Sequence, residues 1–380
     1  MFKTAVGYSE CIDANDAANE IFAQCDEILK GIKPIAGILF MSPECEYCVL
    51  LQKINLKYEG IELAGASSCG EMSSPGKFTE DSSVLVLFAS DEVEIKAGIG
   101  CGIATDTNGA AKMAVDAAKS KLSKKAALCV AFPDVTFMNG VHITECISEN
   151  LGKDVTLIGG GASRHTAETP TFQICKNEIF SDSVAVLIFS EPVKYSFGVA
   201  SGWQAIGTKK TVTKSEKNII YEIDDRPAAE FYINYFGCGE EVLGGEFPMM
   251  IFEKNESEPY IRAVIEINCR EGKIKAAGDV NEGTTVQFAE ADRDNIISGA
   301  RQSAEMAAKY YGGGADFLLA ISCAARKNIL GTKTSREYET LKDIAPNIAG
   351  FYTYGEICPL VKGKDARFHN ATFVTLLLGV

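Results

Sequence analysis

The stretch AGASSCGEM at residues 64–72 returns near the other end of the chain as AGFYTYGEI at residues 349–357. Both read Ala-Gly, four variable residues, Gly-Glu and an apolar residue, with no gap between the two copies. Each copy begins in an apolar run typical of a buried β-strand, so each glutamate is expected just past a strand end. The sequence therefore predicts that the fold uses one loop geometry twice.

The regions around both copies alternate between short apolar runs and longer helical patterns, which is typical of a layered α/β fold. We expect mixed β-sheets with helices on their outer faces, in a layered αββα-like (α+β) composite that contains two sheets. The order strand, helix, strand, hairpin occurs twice in the N-terminal half and again over residues 315–379. A repeated order of this kind indicates an internal duplication.

Two 20-residue segments carry the most detailed internal match. SVLVLFASDEVEIKAGIGCG (residues 83–102) aligns without gaps with SVAVLIFSEPVKYSFGVASG (residues 183–202). Each segment has two apolar runs separated by a polar turn, and this pattern predicts a β-hairpin with antiparallel strands. The acidic turn and proline at 224–227 mark the predicted boundary between a domain at residues 1–224 and a domain at residues 225–380.

Composition narrows the range of partners. The chain has 380 residues, 46% of them hydrophobic, and a net charge of −14. Such a charge repels nucleic acid and anionic lipid surfaces. The N-terminus lacks the pattern of a secretory signal, and the apolar runs are shorter than the roughly 20 residues that span a bilayer. We therefore predict a cytoplasmic protein, and we expect its 13 cysteines to be reduced thiols.

Several short motifs follow one another in an order that resembles a known family. They are listed in chain order: the loop at 65–71, GGGA at 159–162, Gly202-Trp203, GDVNEG at 278–283, Cys323 with Arg326, GFYTYGEI at 350–357 and FHNAT at 368–372. Together they resemble the FIST sensory domain, with an N-type part followed by a C-type part. After GGGA, this chain has Ser-Arg-His where the family commonly has Gly-Asp.

The resemblance implies a sensor of small molecules such as amino acids, with no catalysis of its own. We also expect no cofactor, and no metal because the sequence has only three histidines and shows no further ligands around them. It also implies a separate signalling protein as output partner, and it leaves homo-oligomerisation open. Ligand-binding residues are expected on the loops that carry the family motifs. The candidates are Arg326, Tyr354, Glu356, His369, Asn370 and Glu71.

We expect the five C-terminal candidates to line one cleft. A guanidinium can bind a carboxylate through two parallel hydrogen bonds, so Arg326 is the predicted clamp for a ligand carboxylate. Glu356 would then accept a hydrogen bond from the ligand's amino group. The alternative is structural: Arg326 and Glu356 form an ion pair, and Glu71 and Glu356 accept hydrogen bonds from nearby backbone amides.

A competing hypothesis from another class of protein rests on Cys45 and Cys48. They form a Cys-x-x-Cys pattern where a predicted strand meets a predicted helix, as in thioredoxin-like enzymes. In this case the chain would be a thiol-dependent oxidoreductase. A hydrolase with a site assembled from distant residues is a further enzymatic alternative.

Overall fold

The structure is a computed structural model that describes residues 1–136, 139–237, 247–253 and 259–380. Three segments of the chain follow the same order of elements. The first contains β1 (Phe2–Ser9), α1 (Ala14–Leu29), β2 (Ala36–Met41), α2 (Tyr47–Lys57), β3 (Glu62–Ser67), β4 (Glu71–Ser73), β5 (Lys77–Thr79) and β6 (Ser83–Ser90). The second contains β7 (Ile95–Cys101), α3 (Thr107–Lys119), β8 (Ala126–Pro133), α4 (Gly140–Leu151), β9 (Thr156–Gly160), β10 (Gln173–Cys175), β11 (Glu178–Phe180) and β12 (Ser183–Ser190).

The third segment begins with β13 (Lys194–Ala200) and is then interrupted by an insertion. The insertion contains β14 (Gln204–Glu216), β15 (Ile219–Ile223), β16 (Arg226–Pro227), α5 (Glu230–Phe236), β17 (Met249–Phe252), β18 (Tyr260–Arg262), β19 (Val264–Asn268), β20 (Lys273–Ala276) and β21 (Thr285–Glu290). The segment resumes with α6 (Arg293–Tyr311), β22 (Phe317–Cys323), α7 (Ala324–Leu330), a 3₁₀ turn (Gly331–Lys333), α8 (Ser335–Glu339), β23 (Asn347–Thr353), β24 (Glu356–Cys358), β25 (Arg367–His369) and β26 (Phe373–Gly379).

Three six-stranded sheets share one strand order. They are β1-β6-β2-β3-β10-β11, β7-β12-β8-β9-β24-β25 and β13-β26-β22-β23-β4-β5. In each sheet two neighbouring strands are parallel and the others are antiparallel, so the predicted mixed α/β fold is confirmed. Each segment also passes its short hairpin to the sheet of another segment: β4-β5 lies in the third sheet, β10-β11 in the first and β24-β25 in the second.

The three sheets pack their inner faces together and their outer faces against helices. In β2, Ile38 and Phe40 point into the shared core, whereas Leu39 and Met41 pack beneath α1 and α2. The ring of Phe40 stacks on that of Phe351 with 4.1 Å between centroids. Because both faces of the strand are covered, its sequence is continuously apolar rather than alternating.

The insertion forms a separate eight-stranded sheet. Its strand order is β18-β17-β21-β14-β15-β20-β19, with β16 paired to β15. It has its own apolar core, in which Phe231 of α5 stacks on Phe288 with 4.0 Å between centroids. The structure thus has four sheets in its described part, and the expectation of two sheets was wrong.

The two hairpins predicted from the matching segments were also wrong, although their strands form where expected. Strand β6 pairs with β1 and β2, whereas β7 pairs with β12. In the same way β12 pairs with β7 and β8, and β13 pairs with β26. The turns after β6 and β12 therefore carry the chain from one sheet to the next. The hairpins that do form within the segments are β4-β5, β10-β11 and β24-β25, which lie in the sheets of other segments. The duplication and the domain boundary at 224/225 stay predictions.

The first glycine of the repeated loop motif is explained by close backbone packing. A Cβ added to Gly65 would lie 1.9 Å from the carbonyl oxygen of Leu39, and one added to Gly350 would lie 2.4 Å from that of Ala320. Gly159 makes the same approach in the second sheet. The structure therefore contains a third copy of this glycine, which the sequence comparison did not identify.

Candidate functional site

The loops that follow β3, β9 and β23 meet at one end of the molecule. Backbone hydrogen bonds join them pairwise: the amide of Ser163 donates to the carbonyl of Ser67 (3.0 Å), that of Gly161 to Gly355 (2.9 Å) and that of Tyr352 to Gly70 (2.9 Å). The carboxyl ends of the parallel strands of all three sheets thus lie together. Ligands of α/β folds commonly bind at this end of a sheet.

The two predicted glutamates lie in these loops at matching places, and a glutamine occupies the third. Each side chain accepts a hydrogen bond from a hydroxyl near the start of the next long strand. The pairs are Glu71 with Ser82 (2.6 Å), Gln173 with Ser183 (2.7 Å) and Glu356 with Thr372 (2.7 Å). These hydrogen bonds fasten the exchanged hairpins to the strands that follow them.

Burial controls the charge of both glutamates. It raises the pKa of Glu71 to about 8 and that of Glu356 to about 7, while hydrogen bonds from hydroxyl groups oppose the shift. Glu356 is saturated by Thr353 and Thr372, whereas Oε1 of Glu71 has no hydrogen-bond partner. Ligand binding by either glutamate stays a prediction.

Arg326 is fully buried, and its ion pair forms with Glu337 rather than with Glu356. Its Nε and Nη2 lie 2.9 and 2.8 Å from Oε1 of Glu337, whose side chain is also fully buried. Nη1 donates to the backbone carbonyl of Ser201, and Nη2 also donates to the backbone carbonyl of Ile296. The structural alternative of an ion pair with Glu356 is therefore wrong, because the short helix α8 places another carboxylate next to the guanidinium.

The remaining predicted residues occupy three different environments. Tyr354 donates its hydroxyl to the carbonyl of Arg164 at 2.7 Å, and Oδ1 of Asn370 accepts from the amide of Ala263 at 3.4 Å. His369 lies opposite Glu356 in the hairpin β24-β25. His369 also lines two cavities, a charged one and an uncharged one. A single cleft lined by all five residues stays a prediction.

The charged cavity lies between the insertion, α4 and β25, and has a volume of about 290 Å³. Its charged wall residues are Arg262, Arg367, Glu145, Glu253 and Asp279. Burial, followed by the charge of Asp279, raises the pKa of Glu145. A cavity that presents both guanidinium and carboxylate groups is suited to a ligand that carries both signs of charge.

Arg262 is the buried cation of this cavity, with 6% of its surface exposed. Its Nη1 donates to the carbonyl of Phe368 at 2.8 Å, its Nε donates to the carbonyl of Asp279 at 3.3 Å, and its guanidinium lies over the ring of Tyr260. Within the described part of the chain, no carboxylate forms an ion pair with it. Burial lowers the pKa of Arg262, but an arginine keeps its charge in proteins.

The uncharged cavity lies beside the charged one and has a volume of about 600 Å³. Its apolar walls are Trp203, Met250, Ile261, Met306, Leu360 and Val361. Burial lowers the pKa of His369, which also lines it, to about 4, so this side chain is neutral at physiological pH. The described residues that line this cavity therefore carry no formal charge.

Cys45 lacks the electrostatics of a reactive thiol. Burial, together with the smaller effect of the carboxylates of Glu71, Asp81 and Glu44, raises the pKa of Cys45 to about 11. This is the opposite of the shift that activates a thioredoxin-like cysteine. Both Cys45 and Cys48 are free thiols. Cys269 is disulfide-bonded, so the expectation that all cysteines are reduced was wrong at this position.

Sequence reasoning missed Arg262 because it lies in an ordinary strand, outside every short motif. Its only signal was an arginine inside the apolar-flanked run YIRAVIEI at 260–267. Among the described residues, no group of three His, Cys, Asp or Glu side chains is arranged to hold a metal ion. The helices of the described part are all too short or too polar to cross a membrane.

Comparison with known proteins shows a similarity in sequence and low similarities in structure. A curated protein of Methanocaldococcus jannaschii, named only as uncharacterised, is 25% identical over 224 residues, which cover 55% of this chain and 42% of that protein. The chain thus matches less than half the length of this relative.

Two cyanuric acid hydrolase structures, one of them from A. caulinodans, align over 99% and 100% of this chain at 8% identity. Their TM-scores are 0.38 and 0.34. Such low scores carry no argument about fold or activity.

Family profiles give a direct assignment. Residues 35–226 match the FIST N domain, and residues 228–359 match the FIST C domain. FIST domains are sensory domains of signalling proteins, which supports a sensory role here. The predicted resemblance is confirmed, and the chain belongs to the FIST family.

Proposed function

We propose that this chain senses a small amino-acid-like carboxylate inside the cell and passes the signal to a separate protein. The observation that carries the proposal is Arg262, a buried guanidinium at the wall of a cavity. An unpaired buried charge is costly, and a ligand carboxylate would offset that cost through charge-assisted hydrogen bonds. The role that the sequence suggested for Arg326 is thereby given to a different arginine.

The carboxylates of the charged cavity would bind the positively charged group of the ligand. Glu145, Glu253 and Asp279 all line the same walls as Arg262. An ammonium group on the ligand would be attracted by these groups, while its carboxylate would be held by Arg262. An α-amino acid carries both groups on one carbon atom, so its size is compatible with a cavity of about 290 Å³.

A thermal-shift panel tests the proposal. It contains L-amino acids, the matching amines without a carboxylate, and the matching carboxylic acids without an amine. A ligand at 100 times its dissociation constant stabilises the native state by about 2.7 kcal/mol. We expect stabilisation by amino acids and a clearly smaller effect from either half. If amines alone match the amino acids, Arg262 does not bind the ligand.

Arg262→Lys isolates the contribution of the guanidinium. Lysine keeps the positive charge but loses the planar fork, so we expect affinity for the best amino acid to fall by about tenfold or more. Arg270→Lys is the matched control, because Arg270 is exposed and does not line the cavity. Equal affinities in the two variants would contradict the proposal.

A further inference from the structure

We propose that the uncharged cavity holds the apolar side chain of the ligand whose charged head is bound at Arg262. The ligand would then be an amino acid with a large aliphatic or aromatic side chain. This inference rests on the proposed function, since it needs the charged head to be anchored in the charged cavity.

The two cavities are close enough for one small molecule to reach both. Tyr260 and His369 line both of them, so the two cavities are adjacent and share part of their walls. The guanidinium of Arg262 lies 4.6 Å from the centroid of the Tyr260 ring. A carboxylate bound by Arg262 therefore lies next to the shared wall, and a side chain on the same ligand can extend past it.

The two cavities differ in chemistry, so each is suited to a different part of the ligand. The charged cavity has arginine and carboxylate groups, whereas the uncharged cavity has neutral His369 and a majority of apolar walls. A second charged group would lose its hydration in the uncharged cavity without gaining a partner. An apolar side chain gains from the same transfer, by roughly fourfold in affinity for each buried methylene.

The uncharged cavity also lies where the insertion meets the rest of the molecule. Met250 and Ile261 come from the insertion, whereas Met306 and Ser298 belong to α6. A side chain bound there would contact both parts at once.

Isothermal titration of the full chain with glycine, L-alanine, L-leucine and L-phenylalanine tests the inference. We expect leucine or phenylalanine to bind at least about tenfold more tightly than alanine, with a more negative heat-capacity change than glycine. If glycine binds as tightly as leucine, the inference is overturned and the proposed function stands. If none of the four binds, the proposed function fails and the inference fails with it.

A variant that fills the uncharged cavity gives a second test. Ser298 is exposed on α6 and lines this cavity, so Ser298→Phe should fold and occupy part of the space. We expect it to weaken leucine binding at least tenfold and to leave glycine binding unchanged. Arg301→Phe, on an exposed part of the same helix outside the cavity, is the control. Equal leucine affinity in both variants would overturn the inference.

Discussion

Two buried arginines, Arg326 and Arg262, differ in how the protein compensates their charges. Arg326 has no exposed surface and shares its charge with the equally buried Glu337. Arg262 is 6% exposed and has two backbone carbonyls as hydrogen-bond acceptors. No carboxylate in the described part of the chain pairs with it.

This difference separates a structural charge from a charge that is available to a ligand. The charge of Arg326 is neutralised within the protein, and its donors connect α6, α8 and the end of β13. The charge of Arg262 is partly compensated by the dipoles of backbone carbonyls and by the more distant charges of Asp279 and Glu253, and it faces a cavity. The short sequence motif that contains Arg326 therefore marks a structural residue, whereas Arg262 is the candidate for binding a ligand.

Replacing Arg326 should give the largest loss of stability. Arg326→Met leaves Glu337 buried without its cation, and breaking a buried pair in this way costs about 3–5 kcal/mol. Urea unfolding monitored by circular dichroism measures the change. The double variant Arg326→Met/Glu337→Leu should recover part of the loss, because it removes the uncompensated charge. A double variant that is less stable than the single one would contradict the ion-pair account.

Replacing Arg262 should cost less stability and remove more function. Arg262→Met loses two hydrogen bonds to backbone carbonyls but leaves no buried carboxylate behind, so we expect a loss of about 1–3 kcal/mol. The same variant should lose the thermal shift given by the best amino acid. If Arg262→Met destabilises the fold as much as Arg326→Met, both arginines are structural residues and the proposed difference between them is wrong.

Hydrophobic patterning predicted the elements of this fold but not how they pair. Their apolar runs predicted strands at 83–89 and 93–100, and strands form at 83–90 and 95–101. Their pairing was missed because antiparallel neighbours and strands that cross between sheets share the same local sequence pattern. The exchange of the short hairpins has no local signal for the same reason. Strand β1 and helix α1 were not predicted at all.

In the candidate site too, local sequence motifs predicted some residues but not the contacts between distant segments of the chain. The loop motifs located Glu71 and Glu356, and glycines marked the turns around them. The partner of Arg326 depends on the packing of α8 against β22, which no motif records. Arg262 acquires its significance from a cavity formed by the insertion, α4 and β25. Such convergence of distant segments cannot be derived from spacing along one chain.

A second pair of buried groups, Glu71 and Glu356, sharpens the comparison because a carboxyl group can lose its charge. The folded pKa of Glu71 is raised to about 8 and that of Glu356 to about 7, from an ordinary value of 4.5. Between pH 4.5 and these values, the folded protein retains protons that the unfolded chain releases. The free energy of unfolding therefore falls as pH rises, by up to about 1.4 kcal/mol per pH unit for each group.

The double variant Glu71→Gln/Glu356→Gln should remove this dependence at the smallest cost. The third matching position is already a glutamine, Gln173, which accepts a hydrogen bond from Ser183. Well below pH 4.5 both carboxyls are protonated in both states, so the two proteins should differ there by only about 1 kcal/mol. From pH 5 to pH 8 the parent should lose stability more steeply than the variant in urea titrations. Parallel profiles would mean that both glutamates are ionised in the folded protein, which would leave Glu71 and Glu356 available as charged ligand-binding groups.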